Sequence, residues 1–229
     1  MADDDTRSLI LAAALELLRD EGQHALTVRA VATRAGCSTI GVYTWFGSKD
    51  GLIDAILAEG FAGFGDALAT APRPDGPLGR IRGQAMAYRT WALSHPSHYQ
   101  VMFGRQDPSH TPSNEAGAAA LRAYEELHAG VMEARTRGEL RTEDVEAVAL
   151  ACWGLAHGLV SLELANPKPP ALADQPDMDA RAFALAVDVL ARGLAPTQPA
   201  PTQPAPRATT PGRRTPAARA TDARRTGAP

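Results

Sequence analysis

Only two cysteines occur in 229 residues, Cys37 and Cys152, and neither has a partner Cys or His at metal-ligand spacing. A disulfide framework and a zinc site are not indicated, and no metal is expected. Both thiols read as structural, with redox sensing at Cys152 left open. Aromatic residues make up only 5% of the chain, so the position of each one is informative. No apolar run reaches membrane-spanning length, and Asp3, Asp4 and Asp5 sit where a secretion signal would carry positive charge. The expectation is a cytoplasmic protein without a membrane partner. Strand alternation with turn signals is missing as well, which favours an all-α fold.

Catalytic patterns are equally sparse. GCSTIG lacks the spacing of a nucleophile elbow, and Ser38 is better used as a helix cap. GFGDAL lacks the third glycine and the preceding strand of a dinucleotide loop. His157 and Ser161 lie one helical turn apart with no orienting carboxylate. No enzyme, no catalytic residue and no cofactor is expected.

What is present is helical periodicity interrupted by breakers. Leu9, Ile10, Ala13, Leu17 and Leu18 form a stripe over residues 7–21. Thr27 and Ser38 offer caps for two short helices separated by Gly36. A helix is predicted over 49–68, weakened in its second half by Gly60, Gly63 and Gly65 at up to about 1 kcal/mol each. A breaker-rich linker follows over 70–79. Further helices are predicted over 80–95, 97–104, 115–137, 142–165 and 178–194. Residues 1–68 are expected to form one domain, 80–195 a second, and 196–229 a disordered Pro/Ala/Arg-rich tail. The tail holds six Arg and one Asp, a net of +5, leaving −8 on the preceding residues. It reads as a solvated extension or as a basic arm that adds nonspecific, salt-sensitive DNA affinity.

The window from Thr27 to Lys49 is the exception to the acidic balance before the tail. Its only ionised side chains are Arg29, Arg34 and Lys49, which suits a polyanion. The run AGCSTIGVYTWFGSKDGL resembles the DNA-binding signature of the TetR family of bacterial regulators, most specifically in the spacing of Tyr43, Phe46, Lys49 and Leu52. The likeness spans roughly the first 65 residues. It implies a three-helix helix-turn-helix domain that binds double-stranded DNA at a pseudo-palindromic operator, with its second helix in the major groove. Thr39, Ile40, Gly41 and Thr44 are then candidates for base edges, with Arg29 as the guanine reader and Ser38 opening the recognition helix. Thr27, Tyr43, Trp45 and Lys49 resemble the family's phosphate clamps. Trp45 stands where many members carry His, and its indole N–H keeps a donor available. Tyr43 also has a plain reading as a packing residue, as Val42 and Phe46 do.

Two aromatic-rich segments occupy the second half. They resemble a C-terminal domain of TetR-like regulators named for a Trp-His-Gly motif, here Trp153, His157 and Gly158. Tyr88, Ala92 and His95 share a helix face, and Trp153 and His157 share another. If these faces meet, Tyr88, Trp91, Ala92, His95, Tyr99 and Met102 enclose an effector cavity with Phe103, Tyr124, His128, Trp153 and His157. Otherwise they fill a core. The resemblance implies a homodimer built by the helices over 142–165 and 178–194, with Ala147, Ala151, Gly154, Gly158, Ala182, Ala186 and Val189 allowing close approach. The reading is a repressor released from DNA by a small apolar or amphipathic effector. The alternative is a regulator whose second domain binds a protein.

Overall fold

The computed structural model describes residues 2–104, 110–165, 175 and 177–196, with side chains from residue 5 onward. Nine α-helices and one short 3-10 turn make up the described residues, and no strand occurs among them. The tail expected over 196–229 lies outside them except for its first residue.

Helix α1 (Ala2–Glu21) begins earlier than the apolar stripe suggests. It buries Ile10, Leu11, Ala14, Leu17 and Leu18, whereas Leu9 is 60% exposed. Positions 10, 14, 17 and 18 follow the helical repeat, and Leu9 falls off that face. Helix α2 (Val28–Ala35) starts where the Thr27 hydroxyl accepts from the Ala30 N–H at 3.2 Å. It stops at Gly36, whose φ of 68° is left-handed, and the Cys37 N–H reaches back to the Ala32 carbonyl at 3.0 Å. Helix α3 (Thr39–Phe46) is capped by Ser38 through the Gly41 N–H at 3.1 Å. Ser48 then caps α4 (Lys49–Ala69) through the Gly51 N–H at 2.9 Å.

Helix α4 runs unbroken through its glycines. Each glycine marks a neighbour's approach. A Cβ on Gly60 would press on Met102, one on Gly63 would touch Trp91, and one on Gly65 would meet the Ala123 backbone. The sequence suggests a weak spot here, but the missing side chains instead let three other helices close onto α4.

Those neighbours are α5 (Gly79–Ser94), α6 (Pro96–Phe103) and α7 (Asn114–Thr136). Ser113 caps α7 through the Ala116 N–H at 3.2 Å. Helix α8 (Val145–Ala165) starts three residues later than the sequence suggests, because the Asp144 carboxylate accepts from the Ala147 N–H at 3.0 Å. Helix α9 (Met178–Leu194) packs on α8 and α5. One apolar cluster extends from Ile10 and Val31 through Ile56 and Phe64 to Val160 and Phe183. A second, around Leu78, Val131, Val148 and Cys152, closes the far end.

By length and composition α8 is apolar enough to cross a membrane, which corrects the expectation that no run reaches that length. It packs against α5, α7 and α9 and carries Glu163, paired with Arg89 through two hydrogen bonds. Burial pushes the Cys152 thiol up to about 11. That holds it in the unreactive thiol form, which argues for the structural role rather than redox sensing.

The Gln84 side chain, 2% exposed, donates to the Glu126 carbonyl at 2.7 Å across from Gly130. A methyl at Gly130 would overlap the Gln84 amide oxygen. Gly130→Ala is expected to cost about 1–3 kcal/mol through that disturbed buried amide. Gly117→Ala, with nothing within 4 Å, should gain up to about 1 kcal/mol. Urea unfolding midpoints measure both, and equal midpoints would contradict the packing described here.

Candidate functional site

The α2–α3 pair presents an unusual surface. Ile40 is 74% exposed and Tyr43 53%, although both are large and apolar, while Val42 between them is fully buried. This disfavours the packing role for Tyr43 and leaves its ring at the solvent face. Arg29, Thr39 and Thr44 are also exposed, and Gly41 and Trp45 are partly so. Trp45 packs one side against the core. The Thr44 hydroxyl donates to the Ile40 carbonyl at 2.8 Å, so only its lone pairs remain for a partner. Phe46 is half-buried beneath the Arg7 guanidinium, 5.6 Å from the ring centre.

The three cations of this window divide. Arg34 is held by Asp20 at 3.1 Å and Glu21 at 2.9 Å, with Glu16 at 3.8 Å, so its charge is already matched. Hydrogen bonds from Arg19 and then Arg34 keep the Asp20 carboxyl below the usual range. Arg29 and Lys49 have no ion pair among the described residues. These two are the cations left for a polyanion.

A cavity of about 270 Å³ lies beside α4. Its buried floor is Phe64, Leu68, Tyr88, Met102 and Ala123, and Phe61, Phe103, Ala120, Tyr124, Leu127 and Trp153 stand nearer the solvent. None is charged. Phe64 meets Tyr88 edge-on with centroids 4.9 Å apart, and Phe61 meets Phe103 edge-on at 5.8 Å.

Of the residues expected from sequence to enclose a cavity, Tyr88, Met102, Phe103, Tyr124 and Trp153 line this one. Tyr99 and His157 stand behind its wall. The Tyr99 hydroxyl lies 2.8 Å from His157 Nδ1 and 3.2 Å from the Tyr88 hydroxyl, which is itself 3.2 Å from the same nitrogen. Trp91 and Ala92 fill the core instead. His95 stacks on Trp91 at 4.7 Å, and its Nδ1 bonds to the Trp91 carbonyl at 2.9 Å. His128 pairs with Glu146 at 3.1 Å on the α7–α8 surface. Sequence reasoning missed Phe61, Phe64 and Leu68 on α4 and Ala120, Ala123 and Leu127 on α7. Their 3- and 4-residue spacings were the available signal.

Helix α6 links the cavity to α1 and α4. Met102 and Phe103 line the cavity, while the Ser97 hydroxyl donates to the Leu15 carbonyl of α1 at 3.0 Å and His98 lies 3.3 Å from Glu59 of α4. The segment before α7 is tied to α4 through His110, 3.1 Å from the Asp54 carboxylate.

Comparison with known proteins agrees with this geometry. Residues 10–56 match the model for bacterial regulatory proteins of the tetR family, and residues 81–190 match the tetracyclin repressor-like C-terminal domain. An HTH-type transcriptional regulator of Mycobacterium tuberculosis is 27% identical over 150 residues, covering 62% of this chain and 64% of the relative. The chain thus spans just under two thirds of that relative's length. The class C tetracycline repressor protein of Escherichia coli is 30% identical over 116 residues, covering 51% of this chain and 52% of that one. A solved structure of a protein of unknown function from Rhodococcus sp. RHA1 superposes with a TM-score of 0.70 at 26% identity, over 83% of this chain and 96% of the other. The chain belongs to the TetR family of DNA-binding transcriptional regulators.

Burial holds His157 below the ordinary histidine value of 6.5. It also lowers His98, where burial outweighs the opposing pull of Glu59. Both rings are kept neutral in the fold, so as the pH falls below about 6.5 the unfolded chain takes up protons first. Stability should therefore decline below that pH. His157→Gln should flatten the decline, as read from unfolding free energies between pH 7.5 and 5, and an unchanged slope would contradict the buried neutral ring.

Proposed function

We propose that the chain is a homodimeric repressor that binds a pseudo-palindromic operator and is released by a small, largely apolar effector in the α4–α8 cavity. The observation that carries the first part is the exposed Arg29, Ile40 and Tyr43 surface, whose cation has no partner among the described residues. In this reading α3 enters the major groove. Ile40 meets a thymine methyl, Thr39 and Thr44 meet base edges, Gly41 permits close approach, and Arg29 reads a guanine. Thr27, Tyr43, Trp45 and Lys49 hold phosphates, and Ser38 fixes the start of the recognition helix.

Two such helices reach half-sites about 34–36 Å apart, or a multiple of that, only in a dimer. A face for it exists in Leu150 and Leu162 of α8 and Leu185 and Val189 of α9, each between 59% and 64% exposed. Ala147, Ala151, Gly154, Gly158 and Ala182 are exposed between them, and Ala186 is partly so. A four-helix bundle of α8 and α9 with their copies would bury this face. On Trp153, His157 and Gly158 we read the second half as the Trp-His-Gly type.

The effector acts through α4 and α6, because both touch the cavity and the reading head. A ligand shifts the DNA-bound form only by its differential affinity for the two states, so ligand and operator must weaken each other equally.

The test begins with an operator selected from random duplexes. Arg29→Ala should cost about 1–3 kcal/mol and relax preference at one base pair, whereas Lys49→Ala should weaken all sequences alike and reduce the salt slope. Wild-type binding by the double variant would remove the DNA-interface reading. For the dimer, Leu150→Glu with Leu185→Glu should yield monomers by sedimentation, and a persistent dimer would place the interface elsewhere.

A further inference from the structure

The size, charge and wall geometry of the cavity restrict what fits it. An apolar cavity of about 150 Å³ takes one benzene. At about 270 Å³, the α4–α8 cavity has room for roughly eleven non-hydrogen atoms on the same scale. None of its eleven lining residues carries a charge, and an ion moved into such a site without a partner loses its hydration uncompensated.

The floor also lacks a spare hydrogen-bond donor. The hydroxyls of Tyr88 and Tyr99 are engaged with each other and with His157, the Trp153 indole N–H is directed at the Tyr88 hydroxyl, and Ser161 lies 3.5 Å from Tyr99. With His157 Nδ1 as the acceptor, each hydroxyl gives its one proton within these contacts. An entering carboxylate would have to break that cluster to gain a bond from the floor, which leaves it only the Tyr124 hydroxyl at the rim.

The rings on the wall cross one another. Phe64 stands at 89° to Tyr88 and 80° to Phe103, and Phe61 stands at 81° to Phe103. Crossed walls offer faces and edges together, which is how a flat aromatic ring is best held. A cation would also find ring faces, but no carboxylate lines the cavity. Glu146, near its Tyr124 side, is 75% exposed and already paired with His128.

We infer that the cavity takes an uncharged aromatic molecule of about ten to twelve non-hydrogen atoms, a fused bicycle, in preference to an organic acid or a lipophilic cation of the same ring. The inference rests on reading this cavity as the effector site, and it specifies the ligand's class.

The test uses the full chain and three probes that share one ring system: naphthalene, 2-naphthoate and trimethyl(naphthalen-2-ylmethyl)ammonium. Calorimetry gives their affinities for wild type and for Ala120→Phe, whose added ring would occupy the cavity. The indole N–H resonances of the wild-type protein report location without depending on how the variant folds. Naphthalene should bind at least about 30-fold tighter than either ion. It should move the Trp153 resonance but not that of Trp45, and lose most of its affinity in Ala120→Phe. Tighter binding of either ion with a moved Trp153 resonance would overturn the ligand class and leave the effector site standing. If no probe moves the Trp153 resonance, the class and the effector site both fall. Naphthalene affinity unchanged in a folded Ala120→Phe overturns the inference too, because the ring would then bind elsewhere.

Discussion

The arrangement of the described helices depends on burying one 21-residue helix along its length. The first half of α4 places Leu52, Ile53 and Ile56 under the helix-turn-helix, and its second half gives Phe61, Phe64 and Leu68 to the cavity wall. A single helix transmits displacement because its backbone bonds resist bending between the two halves. Close approach at Gly60, Gly63 and Gly65 seats α6, α5 and α7 directly on it. Any change in cavity volume must then be taken up by α4 or by one of the helices resting on it, since a packed interior has little slack.

Polarity is segregated around the cavity. Its lining is uncharged, while the Tyr88, Tyr99 and His157 cluster sits behind the wall and satisfies itself. Burial raises both tyrosines above the ordinary phenol value, so all three groups remain neutral and can exchange hydrogen bonds without a buried charge. The Arg89–Glu163 pair fastens α5 to α8 near this cluster, with Arg89 also lying over the Phe183 ring of α9. Together these contacts give α5, α8 and α9 a fixed relation, while the aromatic rim on α4, α6 and α7 borders open volume.

Much of this was legible in the residues, for identifiable reasons. The caps at Thr27 and Ser38 and the stop at Gly36 are local chemistry, and each acts where the sequence places it. The cavity was harder to read. Tyr88 and Trp153 signal their place because large aromatics are rare in this chain. His95 and His128 look equally prominent, yet the Trp91 carbonyl and Glu146 satisfy them away from the cavity. Which face of a helix meets a void, and which meets a neighbour, depends on tertiary packing. The small residues Ala120 and Ala123 announce nothing in sequence, although their size helps to leave the space open. The matched charge on Arg34 was hidden for the same reason, since its partners Asp20 and Glu21 come from another helix.

In the proposed mechanism the state of the cavity sets operator affinity through α4. This coupling is tested most directly without any ligand, by comparing wild type and Ala120→Phe on one selected operator at fixed salt. Filling the cavity from α7 leaves every residue proposed to face DNA in place. Operator affinity is expected to weaken by about 5- to 150-fold, with helicity and dimerisation unchanged. A folded, dimeric Ala120→Phe protein that binds the operator as tightly as wild type would contradict the coupling.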